Sequence, residues 1–166
     1  MKTLVYCYRE GMINNLFGLM QAGIVTRPLT SPPLTAETFP YERMAEADLI
    51  YIALHGSPKG RVLYGDGDIP ALSVEGIIDG PELHGVVILE GCYGAKTAFP
   101  RAFVARGAKM VISSRERTFD RRYGLGEAGR MGRDLVRALR EGKDLRTALR
   151  GEFEALVRDE SKEVPG

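Results

Sequence analysis

With 166 residues, 44% of them apolar and 27% charged, the chain has the make-up of one ordinary globular domain able to bury its own core. A formal net charge of +1 excludes binding to nucleic acid or an anionic membrane through a global field, and two cysteines without CxxC or Cys/His spacing exclude a disulfide framework and a structural zinc site. That cysteine usage fits a reducing cytoplasm, the opening MKTLVYCYRE reads as a strand rather than a signal peptide, and no apolar run is long enough to span a bilayer.

Thr3 to Tyr8 is the first apolar run of strand length, and Gly11 to Ala22 follows as a helix. Arg27 to Pro40 holds four prolines and reads as a connection. Ala47 to Leu54 is the next strand. Arg61 to Asp68, with its GDGD, reads as a β-hairpin or tight turn, in which Asp66 and Asp68 are turn residues rather than pocket residues or calcium ligands. Ser73 caps a short helix to Ile78, and Gly85 to Glu90 is a third strand. A helix from Phe99 to Arg106 has Pro100 in its first turn and Gly107 after its end, and the strand Ala108 to Ser113 follows. Two closing helices are predicted. Met131, Leu135, Ala138 and Leu139 form the stripe of one, ended by Gly142; Leu145, Ala148, Leu149, Phe153 and Leu156 form the stripe of the other, with Asp144 as N-cap. The strands are near-continuous apolar runs rather than alternating ones, as expected of a parallel sheet covered on both faces. Strand–helix alternation without a repeat predicts a three-layer α/β fold, one domain over residues 1–158 with a polar tail at 159–166.

Two segments share one design. ADLIYIALHGS, Ala47 to Ser57, and GVVILEGCYGA, Gly85 to Ala95, each lead a buried strand into a reactive side chain beside glycine. A lone Cys or His is ordinarily a packing residue; the pairing is what points to chemistry. In an open parallel sheet, ligands bind beyond the carboxyl ends of the strands. If the two strands are parallel neighbours, about 5 Å apart, His55 and Cys92 face one cleft, as a thiolate nucleophile and its general acid/base require. Gly56, Gly91 and Gly94 allow sharp turns there, and the N–H groups of Gly56 and Cys92 are the candidate oxyanion hole. Cys7 lies within the first strand, and His84 precedes its strand, about 20 Å from that rim, so both read as structural.

These elements resemble the caspase-like (clan CD) cysteine peptidases, and look most like those of the CHAT and gingipain type. The likeness rests on the strand entering His55-Gly56 and the strand entering Glu90-Gly91-Cys92-Tyr93-Gly94. VLYGDGDIPALSVEGII between them, AFVARGAKMVISS from Ala102 to Ser114, and the two closing helices extend it over roughly Ala47 to Val157. The resemblance implies the three-layer caspase-like (caspase-hemoglobinase) fold, a mostly parallel sheet flanked by helices. It also implies a cysteine endopeptidase in which Cys92 attacks the scissile carbonyl, His55 protonates the leaving amine, and a thioester acyl-enzyme is hydrolysed. A peptide or protein is then the substrate, and a regulatory protein partner is compatible with so small a domain. No metal or cofactor is required, although calcium switches on some relatives. Where caspases carry Gln-Ala before the cysteine this chain has Glu90-Gly91, which bears on aspartate specificity and not on the dyad.

Glu90 shares a strand face with Cys92 and is expected to line the pocket for the residue before the cut, favouring Arg or Lys; a carboxylate buried on local backbone is the bland alternative. Arg115, following the last predicted strand of the sheet, would pair with Glu90, favour an acidic residue, or be a solvated charge. Ser113 and Ser114 are candidates for hydrogen bonds to a substrate backbone. Gly124 to Gly129 matches G-x-G-x-x-G but does not directly follow a strand, so a hinge is preferred to a dinucleotide site. The surrounding arginines, Arg115, Arg117, Arg121, Arg122, Arg130 and Arg133, are diluted by acids and lack interleaved aromatics, against nucleic-acid binding. The rival to an enzyme is an idle caspase-like scaffold module within a larger assembly.

Overall fold

The computed structural model describes residues 1–117, 127–149 and 153–158. Strands β1 (Thr3–Tyr8), β2 (Leu29–Ser31), β3 (Leu49–Ala53), β6 (Val86–Leu89), β7 (Met110–Ser114) and β8 (Phe153–Val157) form one sheet in the order β2-β1-β3-β6-β7-β8. All neighbours are parallel except β8, which runs antiparallel to β7. A separate antiparallel ribbon joins β4 (Val62–Tyr64) to β5 (Pro70–Ser73). Among the described residues, four α-helices accompany them: α1 (Met12–Gln21), α2 (Val74–Asp79), α3 (Phe99–Ala105) and α4 (Glu127–Arg140).

The continuous apolar runs follow from burial on both faces. Tyr6, Ile50, Ile52, Val87 and Leu89 point to one side, into a core with Phe39, Ile77, Phe99 and Phe103. Their neighbours in sequence, Val5, Cys7, Leu49, Tyr51 and Ile88, point to the other, against Leu19, Leu135 and Val136. Helices α2 and α3 thus cover one face, and α1 and α4 the other. Ser73 caps α2 as expected, its Oγ accepting from the Gly76 N–H at 3.0 Å. On α4, Arg137 and Arg140 donate to the carbonyls of Gln21 and Ala22 at 3.3 and 2.7 Å, closing the C-terminal end of α1.

Two expectations are corrected. The second closing helix expected from Leu145 to Leu156 is not found among the described residues. Asp144 caps only a short 3-10 turn, Leu145–Ala148, accepting from the Arg146 N–H at 3.0 Å, and the chain then extends as β8. The physical reason is the open edge of β7, whose backbone groups need partners; β8 supplies them from Met110↔Val157 to Ser114↔Phe153 and turns Phe153 into the core. The Pro-rich connection also contains β2, a three-residue strand at the outer edge, where proline at its flanks costs no ladder bond. The GDGD segment is the predicted turn, between β4 and β5. The G-x-G-x-x-G segment falls largely outside the described residues, as do Arg121, Arg122 and the tail at 159–166. Among the described residues, no helix is long and apolar enough to cross a membrane.

Candidate active site

The parallel strands β1, β3, β6 and β7 end on one rim of the sheet. Past the end of β3 the chain reaches His55, whose main chain leaves the sheet and pairs with Tyr64 of β4 through two 2.8 Å hydrogen bonds. The hairpin therefore holds the histidine at the rim. Past the end of β6, Glu90 adds one rung to the ladder, its N–H donating to the Ile52 carbonyl at 2.7 Å, and Cys92 follows in a turn.

Two glycines let these segments touch. A Cβ on Gly56 would sit 2.5 Å from the Cys92 carbonyl oxygen, and one on Gly91 would sit 2.7 Å from the Leu54 carbonyl oxygen. Close backbone approach, rather than left-handed conformation, is what calls for glycine at both positions. The result is one pocket of about 120 Å³ lined by Tyr8, Ala53, Leu54, His55, Glu90, Gly91 and Cys92. That is room for about four waters, or the end of a side chain. A larger cavity of about 480 Å³ lies at the opposite end of the sheet among Met1, Lys2, Thr3, Ile24 and Arg140, and neither His55 nor Cys92 lines it.

The turn that carries Cys92 is held from below. Tyr93 takes left-handed backbone at φ 58°, its N–H donating to the Glu116 carbonyl at 3.0 Å. Lys96 reaches Glu116 at 2.9 Å and stands 5.6 Å from the centre of the Tyr93 ring. Among the described backbone groups, none accepts from the Gly56 N–H.

The two cysteines sit in different environments. Cys92 is half-buried at the pocket. Cys7 is wholly buried in β1; burial, with added repulsion from the Glu90 and Asp66 carboxylates, pushes its thiol up to about 12. His84 stands at the far end of the sheet, 3.4 Å from Asp48.

The residues named for substrate binding part company. Glu90 is 7% exposed and lines the pocket beside His55 and Cys92. Ser113 is buried under Gly94, and the Ser114 hydroxyl is engaged with the Glu116 main chain at 3.0 and 3.2 Å; neither lines the pocket. Arg115 is exposed and pairs with Glu154 of β8 at 3.5 Å. Tyr8 carried no site expectation in the sequence, and Asp66 was expected only as a turn residue. Tyr8 ends β1 on the same rim, its ring centre 4.4 Å from that of His55. Asp66 accepts from the Glu10 N–H at 2.8 Å, tying the hairpin to the loop after β1. Their signal was the strand end and the turn aspartate, but only the sheet order brings them to the site. Among the described residues, no cluster of three or more His, Cys, Asp or Glu is placed to hold a metal ion.

No protein-family model matches the chain, and a search of curated proteins finds no sequence match. The solved structure of the Arg specific cysteine proteinase gingipain R is similar to it, with a TM-score of 0.53 at 12% identity over 84% of this chain. The fold is caspase-like. At that identity the likeness is one of fold, and the chain spans 37% of the gingipain's length.

Proposed function

We propose that the chain is a cysteine endopeptidase with His55 and Cys92 as its catalytic dyad. The observation that carries this reading is that both residues line one pocket beyond the carboxyl ends of β3 and β6, where the backbone at Gly56 comes so close to Cys92 that a Cβ would clash with its carbonyl oxygen. The Cys92 thiolate attacks the scissile carbonyl carbon, forming a C–S bond. The resulting oxyanion is met by the N–H groups of Gly56 and Cys92. His55 gives its proton to the leaving amine as the C–N bond breaks, which leaves a thioester. Water, deprotonated by His55, then attacks the thioester and releases the acid and the thiol. The buried Glu90 carboxylate in the same pocket favours Arg or Lys before the cut. A pocket this small takes the end of one side chain, so the rest of a peptide would lie across the rim.

The test is a positional-scanning peptide library, run with and without calcium on wild type, Cys92→Ala and Glu90→Gln. Cleavage after basic residues that falls about 1,000-fold or more in Cys92→Ala is the expected result. Glu90→Gln should lower cleavage after Arg or Lys more than it lowers Cys92 alkylation. A wild type that cuts no peptide under either condition would return the idle scaffold module.

A further inference from the structure

The His55 ring lacks a hydrogen-bonded orienting partner among the described residues: its main chain is pinned to Tyr64, while its side chain is exposed. What it rests on is the ring of Tyr8, 4.4 Å away centre to centre and inclined at 39°. We infer that Tyr8 is a positioning residue for His55, an aromatic platform that limits the imidazole to the orientations facing the pocket it shares with Cys92. The inference rests on the dyad reading for its catalytic consequence, though not for its geometry.

Three observations show a platform built to stay in place. Tyr8 is the last residue of β1, so its backbone is held by the ladder, paired with Ser31 of β2. Its ring lies directly on Gly11, where a Cβ would come within 2.0 Å of Cζ and 2.4 Å of Oη, so the loop after β1 is hollowed to the shape of the ring. That loop is itself anchored, by Asp66 on the Glu10 N–H at 2.8 Å and by the Arg9 N–H on the Ser31 carbonyl at 3.2 Å. The ring is thus confined between Gly11 on one side and His55 on another. Offset and tilted ring pairs at this separation are attractive, and a flat neighbour removes imidazole rotamers that face away from the nucleophile.

The chain has only two histidines, which makes the test direct. Proton NMR of the imidazole resonances is recorded for wild type, Tyr8→Phe, Tyr8→Leu and Gly11→Ala, with His84 as the internal reference, beside thermal melts and steady-state peptide cleavage. Gly11 has ordinary helical backbone at φ −82°, so alanine there acts by displacing the Tyr8 ring. It serves if Tyr8→Leu fails to fold. In Tyr8→Leu and Gly11→Ala the His55 resonances are expected to lose their ring-current shift while His84 stays put, and kcat to fall about 10- to 100-fold with KM little changed. Tyr8→Phe should restore both. His55 resonances unmoved by Tyr8→Leu and Gly11→Ala overturn the inference, as does a kcat unchanged in both. If wild type cleaves nothing, the peptidase reading fails by itself, and the resonances alone decide whether Tyr8 orients the ring.

Discussion

Gly56→Ala probes the contact on which the candidate site depends. The added Cβ lands 2.5 Å from the Cys92 carbonyl oxygen, and that neighbour is backbone, so no side chain can swing aside. Restoring an ordinary separation of about 3.5 Å requires the histidine and cysteine segments to part by about 1 Å. Neither moves freely, since His55 is paired to Tyr64 and Tyr93 is tied to Glu116. Overpacking of this kind costs about 1–3 kcal/mol. For a chain of this size the melting midpoint should fall by roughly 2–12 °C. The catalytic effect should be larger than the loss of stability implies, because a displacement of about 1 Å costs on the order of 100-fold in rate. The assays are calorimetry and kcat on the best peptide from the library, with Ser57→Ala in the neighbouring exposed position as the control. A Gly56→Ala protein with unchanged midpoint and kcat within about threefold of wild type would refute the apposition of the two segments.

Thiol labelling separates the two cysteines: at pH 8 iodoacetamide should modify Cys92 well before Cys7, which is wholly buried and, with its thiol pushed up to about 12, ionised in roughly one molecule in 10,000. Cys7 modification keeping pace in peptide mass spectra would contradict the buried placement. The same thiol, with Tyr6 also raised by burial to about 12, sets an alkaline limit: between the ordinary values of 9.0 and 10.0 and that level the fold binds more protons than the unfolded chain, so stability falls as pH rises. From pH 8 to 10.5 Cys7 should account for about 2 kcal/mol, or about 1 M in urea midpoint, and Cys7→Ala should flatten the decline by that amount; equal slopes for the two proteins would exclude it. Phe153→Ala should cost about 3 kcal/mol and roughly 6–12 °C, because β8 seats that ring in the core; a midpoint within 2 °C of wild type would mean that β8 does not close the sheet.

The layered α/β architecture was legible because both faces of each central strand are buried, which leaves an apolar run without alternation. Leu49–Ala53 and Val86–Leu89 announce themselves that way, and Ser73, Pro100 and Gly142 mark helix ends by local chemistry alone. His55 and Cys92 were legible for a related reason: each stands beside glycine just after such a run. Residues 145–157 were misread because their stripe satisfies a helical period, and the competing demand, an unpaired β7 edge, comes from residues far away in sequence.

Thus local periodicity and turn chemistry in the sequence were enough for the central strands β1, β3, β6 and β7, three of the helices' ends and the strand-end positions of His55 and Cys92, but not for the edge strands β2 and β8. The order of the strands was not, because pairing partners are chosen by burial and backbone hydrogen bonding between segments that the chain separates. That order brings Tyr8 beneath His55, sets Gly56 against Cys92, buries Glu90 in their shared pocket, and turns Arg115 away to Glu154. Each is a contact across the sheet rim, and distance along the chain carries no trace of it.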